Sequence, residues 1–118
     1  EARKHYETID VLLDQLFSGW YGGLAVEAMA LGKPVLVYIR EGDLKFIPKE
    51  MRDDLPFVHV NPDTIKEGLR KVLDMPRSEL LALAKKSRAY VEKWHDPLKI
   101  AQEIKDDYEK ALRKYDKL

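Results

Sequence analysis

Two glycines and one acid define the chemistry this chain can attempt. In "DQLFSGWYGGLAVEAMALGKPVLVYIR" the pair Gly22-Gly23 opens an apolar helical stretch, and Glu27 is the single acid within "LAVEAMAL". Glycine lets a backbone approach a ligand with no Cβ in the way. At a helix start, unpaired N–H groups and the helix dipole attract phosphate. Glu27 lies about one turn into the helix, and its side chain leans back towards that start. A carboxylate there accepts two hydrogen bonds from neighbouring hydroxyls, such as those of a ribose, while the amides hold phosphates. Two plainer readings stand beside these: Gly-Gly as a tight strand-to-helix turn, and Glu27 as a surface acid favoured by the dipole. The cradle has neither a Walker Lys-Ser/Thr pair nor a full G-x-G-x-x-G.

Residues around the pair add polar and aromatic options. Trp20 and Tyr21 can stack on a base or sugar, or wedge the turn into the core. Asp14 and Gln15 end the first apolar run and point polar groups to the same mouth. Arg40, at the end of the second run, either offsets phosphate charge or pairs with Glu41 or Asp43. His5, His59 and His95 are scattered with no second ligand at metal spacing, so no metal is expected. Ser18 lacks a Gly-x-Ser-x-Gly elbow and is a poor nucleophile. The carboxylates lie mainly on solvated helix faces, and no hydrolytic pair stands out.

Elements that position these residues follow from hydrophobic periodicity. Short β-rich runs at Val11–Leu13, Val35–Ile39 and Phe57–Val60 suit strands covered on both faces. A helix is predicted from about Gly22 to Leu31, with Gly32 just past its end. The segment Arg40–Pro56 reads mostly as loop, with a short helix at "PKEMRDD". In "NPDT", Asn61 is placed to cap a helix, with Pro62 in its first turn and Ile65, Leu69, Val72 and Leu73 on its inner face. A further helix spans about Arg77 to Lys93. Asp96 then caps the last, Pro97 starts it, and Ile100, Ile104, Tyr108, Ala111, Leu112 and Tyr115 stripe one side. These last helices read mainly as scaffold. The order β-α-β-(loop)-β-α-α-α is that of an α/β domain with a parallel sheet of about three strands, flanked by helices and closed by a C-terminal helical segment. In such sheets, ligands sit beyond the carboxyl ends of the strands.

Composition narrows the partners. At 118 residues the chain is one domain at most. Lys+Arg and Asp+Glu both total 21, so no global field favours nucleic acid or an anionic membrane, and a ligand must be held locally. There is no Cys, which excludes disulfides and thiolate metal sites and fits a reducing cytosol. Apolar runs fall short of the roughly 20 residues of a membrane span. The start "EARKHYETID" carries neither Met nor a signal peptide, and a three-stranded sheet leaves one edge short of neighbours. The expectation is a piece of a longer chain, prone to self-association.

The tract "GWYGGLAVEAMALGKPVLVYI" resembles the donor-binding signature of family 4 retaining glycosyltransferases of the GT-B fold, E-G-F-G-x-x-x-x-E-A-M-A-x-G-x-P-V. From Tyr6 onwards, through "YVEKWHD" at Tyr90 to Asp96, the chain is similar to the second half of such an enzyme's C-terminal Rossmann-like domain. The resemblance implies that residues 1–118 belong to a domain binding a nucleotide-diphosphate-sugar as substrate, without metal or cofactor, in a protein that is cytoplasmic or peripheral to the inner face of the membrane. Glu27 matches the glutamate that binds ribose hydroxyls. Gly22 and Gly23 match the loop facing the diphosphate, and Tyr21 the aromatic between the motif's glycines. The motif's first glutamate, which contacts the donor sugar, falls on Gly19, so sugar specificity does not carry over; Ser18, Asp14 or Gln15 stand where a replacement contact is needed. After the next strand, "REGD" keeps only Gly42 of the usual glycine pair. The family's basic residues for the leaving diphosphate, and its acceptor site in an N-terminal domain, lie outside this chain. It is therefore expected to be inactive alone while keeping weak nucleotide affinity. The competing expectations are a non-catalytic α/β scaffold module, which the missing first glutamate favours, and a GT-B sugar-nucleotide epimerase, which "EAMALGKP" suits less well.

Overall fold

In a computed structural model of the chain, residues 1–117 are described. Their elements run α1 (Ala2–Thr8), β1 (Leu12–Leu13), α2 (Gly23–Ala30), β2 (Val35–Val37), a 3-10 helix (Glu41–Phe46), α3 (Lys49–Asp54), β3 (Val58–His59), α4 (Ile65–Leu73), α5 (Arg77–Trp94) and α6 (Pro97–Tyr115). The strands form one parallel sheet in the order β1-β2-β3, with Leu13 opposite Leu36 and Val37 opposite His59. The class is α/β, with helices flanking a three-stranded parallel sheet.

The apolar runs become strands because both their faces are covered. Val35, Leu36 and Val37 are all buried, but to opposite sides. Val35 and Val37 join Ala25, Ala28, Met29, Phe57 and Tyr90, whereas Leu36 joins Val60 and Val72. Thus α2 and the second half of α5 cover one face and α4 the other, following the two-residue period of a strand. The ladder continues past the strand ends. The Asp14 amide donates to Leu36 O at 2.9 Å and the Tyr38 amide to Gln15 O at 3.1 Å. Asp14 and Gln15 are thereby fixed at the carboxyl rim of the sheet.

Several boundaries match the sequence. Gly32 takes the left-handed conformation after α2, at φ 70°. Asp96 caps α6, accepting from the Leu98 and Lys99 amides at 2.9 and 3.3 Å. The short helix in "PKEMRDD" is α3.

Other expectations need correcting. The strands are shorter than their apolar runs. Helix α1 was not foreseen, because it has no apolar stripe and buries none of its residues. The segment expected as loop after Arg40 winds into the 3-10 helix, whose three-residue period carries no amphipathic signature. Asn61 does not cap α4. Its Oδ1 accepts from the Asp63 and Thr64 amides at 2.9 Å each, closing a separate turn, so that α4 begins at Ile65. The stripe on α6 exists, but Ile100, Ile104, Tyr108, Leu112 and Tyr115 are exposed rather than packed as scaffold. The molecule is correspondingly elongated, 60 × 31 × 26 Å. Among the described residues, no helix is long and apolar enough to cross a membrane.

Candidate functional site at the carboxyl rim

The turn after β1 reaches α2 through a carboxylate. Asp14 Oδ2 accepts from the Gly22 amide at 3.0 Å, at the residue flanking the first turn of α2. The dipole favours a negative group there. Part of what a phosphate would provide is therefore already supplied by the chain itself. The Ala25 amide bonds back to Gly22 O at 3.1 Å. The Gly23 and Leu24 amides, first in α2, have no acceptor among the described residues, and both residues are exposed. The unpaired amides of the helix start are therefore those of Gly23 and Leu24, one step beyond Gly22.

Gln15, Ser18, Gly19 and Arg40 gather beside that turn. The Ser18 hydroxyl donates to the Gln15 amide oxygen, Oε1, and not to a basic group. Gln15 Nε2 lies 3.4 Å from where a Cβ on Gly22 would stand. Gly19 is buried at φ 80°, a conformation side chains rarely adopt. A Cβ there would meet Arg40 Cβ at 3.0 Å and Arg40 Cζ and Nε at 3.3 Å. The Arg40 amide also donates to Gly19 O at 2.9 Å. This explains physically why no glutamate stands at position 19: the backbone demands glycine and Arg40 fills the space. The guanidinium pairs with Asp43, not Glu41, with Nη1 to Oδ2 at 3.2 Å.

A cleft of about 780 Å³ opens beside Arg40, where the chain leaves β2 and β3. Tyr38, Arg40, Glu41, His59, Asn61 and Thr64 supply its polar lining. Its volume is in the range of sites for small organic ligands. Its walls come from the residues that follow β2 and β3 at the carboxyl rim, where the sequence places ligands, with the unforeseen 3-10 helix shaping one side.

The aromatics resolve towards the core. Tyr21 is buried, stacks on Trp20 at 4.9 Å and packs against Phe57 at 4.7 Å between centroids. Its hydroxyl is shared between Tyr90 Oη at 2.8 Å and His95 Nε2 at 2.9 Å. Burial raises the Tyr21 pKa despite the bond from Tyr90. Burial, with the Tyr21 bond added, raises that of Tyr90 further, and burial lowers that of His95. The three groups are thus uncharged near neutrality. Tyr21 wedges the turn and offers no face to a ligand. His95 and Tyr90, which the sequence offered only as a scattered histidine and as members of the "YVEKWHD" tract, are what anchor the turn from behind.

Glu27 is exposed and is not among the side chains gathered at the turn. It faces a groove between α1, α2 and α5 lined by Arg3, Tyr6, Leu31 and Arg88. Tyr6 lines the same groove, and the nearby Glu27 carboxylate, ahead of burial, holds its phenol pKa above the ordinary value. Hence the structure brings together Gln15, Ser18, Gly19, Gly22 and, beside them, Gly23. It diverts Tyr21 to the core and Glu27 to the neighbouring groove. Among the described residues, no group of His, Asp and Glu is arranged to hold a metal ion. Comparison with protein-family models, with curated proteins and with solved structures gives no match to this chain.

Proposed function

We propose that this chain is the donor-binding part of a Rossmann-like glycosyltransferase domain, holding the diphosphate end of a nucleotide-sugar at the start of α2. The observation that carries the reading is the pair of unpaired amides at Gly23 and Leu24, on a glycine turn at the carboxyl rim of a parallel sheet. Asp14, Gln15 and Ser18 stand beside it as partners for sugar hydroxyls. The chemistry supported is binding and charge stabilisation of a leaving diphosphate rather than covalent catalysis, since the Ser18 hydroxyl bonds an amide oxygen and not a base. In this arrangement Glu27, exposed in the groove beside Tyr6, remains open to ribose hydroxyls.

A titration with UDP, GDP and ADP followed by amide NMR tests the reading. Shifts should concentrate at Gly23, Leu24 and the residues from Gln15 to Gly22. Spectra unmoved at millimolar nucleotide would end it.

One observation favours a second reading. The Asp14 carboxylate neutralises the helix start from within, as in an α/β module whose turn is purely structural. That module binds no nucleotide, and the same titration separates the two.

A further inference from the structure

We propose that α6 is a self-recognition helix, along which two copies of this chain pair antiparallel about a two-fold axis between Tyr108 and Glu109. The proposal is independent of the donor-binding reading. Every residue of α6 is exposed, and none of them joins either buried cluster of the chain. Ile100, Ile104, Tyr108, Leu112 and Tyr115 nevertheless stand at spacings of three or four, which keeps them on one side of the helix. A helix of this length is marginal in water until such a face is covered. Together the five residues expose on the order of 600 Å² per chain and about 1,200 Å² per pair, the lower bound of a specific interface.

Charge beside the stripe says what covers it. Glu103, Asp107, Lys110 and Lys114 follow at spacings of four, three and four down one flank. The acids lie in the first half and the bases in the second, at equal distances from the point between Tyr108 and Glu109. A second copy laid antiparallel therefore sets Glu103 of one chain near Lys114 of the other, and Asp107 near Lys110. The two-fold axis repeats both pairs. Within one chain Lys110 and Asp107 meet at 3.3 Å, with side chains 75% and 79% exposed, so this pair is weak and free to join a four-charge cluster at the axis. Glu103 and Lys114 have no ion-pair partner among the described residues and gain one. Tyr108 lies next to the axis, where a large ring at the centre of an interface contributes most.

Sedimentation equilibrium of the 118-residue chain tests the pairing. A reversible dimer should form below about 0.5 mM, as befits an interface of this size. Glu103→Lys with Asp107→Lys, or Lys110→Glu with Lys114→Glu, should weaken it by about ten-fold or more, because the flank then meets its own charge. An equimolar mixture of the two double variants should recover the unaltered affinity. That recovery would not occur if the substitutions had merely unfolded α6, and circular dichroism of each variant checks its helix directly. The chain has no Cys, so a nitroxide on Lys99→Cys reads the direction of pairing. Antiparallel copies place the two labels on the order of 30 Å apart at 1.5 Å per residue, and parallel copies place them side by side. A chain that stays monomeric, a dimer indifferent to both charge reversals, a mixture that fails to pair, or labels side by side would each overturn the proposal.

Discussion

Asp14 and Gly22, eight positions apart in sequence, close the turn between β1 and α2 by a carboxylate-to-amide bond of 3.0 Å. The bond joins a polar residue of the sheet ladder to the helix start, so the position of α2 depends on it. Asp14→Asn retains an acceptor oxygen and should lower unfolding free energy by about 1 kcal/mol; Asp14→Ala should lower it by about 2. Urea denaturation of the three proteins measures this. Equal stability for all three would mean that the turn is held elsewhere.

Gly19→Ala tests the neighbouring constraint. At φ 80°, and with Arg40 Cβ 3.0 Å from the new methyl group, strain and contact act in the same direction. A loss of about 1–3 kcal/mol is expected. Gly23→Ala, where a Cβ meets open space, should be close to neutral. A pair of thermal melts that fails to separate these variants would contradict the conformation described for the turn.

How much of this was legible from sequence depends on whether a residue's role is local. Gly32 ending α2, Asp96 capping α6 and the buried run Val35–Val37 follow from neighbours in the chain, and each was readable. The Arg40–Gly19 packing, the Asp14–Gly22 bond and the Tyr21–Tyr90–His95 cluster join residues that only the fold brings together. For the same reason the aromatic Tyr21 was ambiguous: a ring beside a glycine pair serves a ligand or a core equally well until its hydroxyl partners are known. The groove in which Glu27 stands was not foreseen, because α1, which buries none of its residues, gave no periodic signal.

Tyr6→Phe removes the hydroxyl nearest to the Glu27 carboxylate in that groove without disturbing packing, since α1 buries no residue. If ribose hydroxyls use this acid, nucleoside affinity should rise by about two- to five-fold in Tyr6→Phe, the worth of one released hydrogen bond, and fall in Glu27→Gln. Calorimetry with a nucleoside lacking phosphates reads this contact separately from the diphosphate subsite. Opposite or absent changes would assign Glu27 to the surface alone.

The interior of α5, by contrast, contains a simple excess. The Ser87 hydroxyl is buried with no hydrogen-bond partner among the described residues. Such a group carries its desolvation cost without return, so Ser87→Ala should raise stability by about 1 kcal/mol, visible as a higher melting temperature. A drop would show that the hydroxyl is satisfied in solution.

The Tyr21–His95 contact makes stability depend on pH with a defined sign. Burial holds the His95 pKa below its ordinary value, so the folded chain binds fewer protons there than the unfolded one. Stability from this group is fully present above the unfolded histidine pKa of about 6.5 and is lost as pH falls through the lower folded value. His59 is shifted in the same direction, chiefly by partial desolvation at the cleft wall and against the pull of Glu41; most of its surface still meets solvent, so its share should be smaller. The hydrogen bonds give the same sign. Neutral His95 can accept from Tyr21, which accepts from Tyr90; protonated His95 can only donate, so the Tyr21 proton must turn away from it. Melting temperatures measured between neutral pH and pH 5 should therefore decline with acid. His95→Gln should flatten that decline more than His59→Gln, and Tyr21→Phe should weaken the coupling while keeping the ring. A slope identical in all four proteins would place the proton elsewhere.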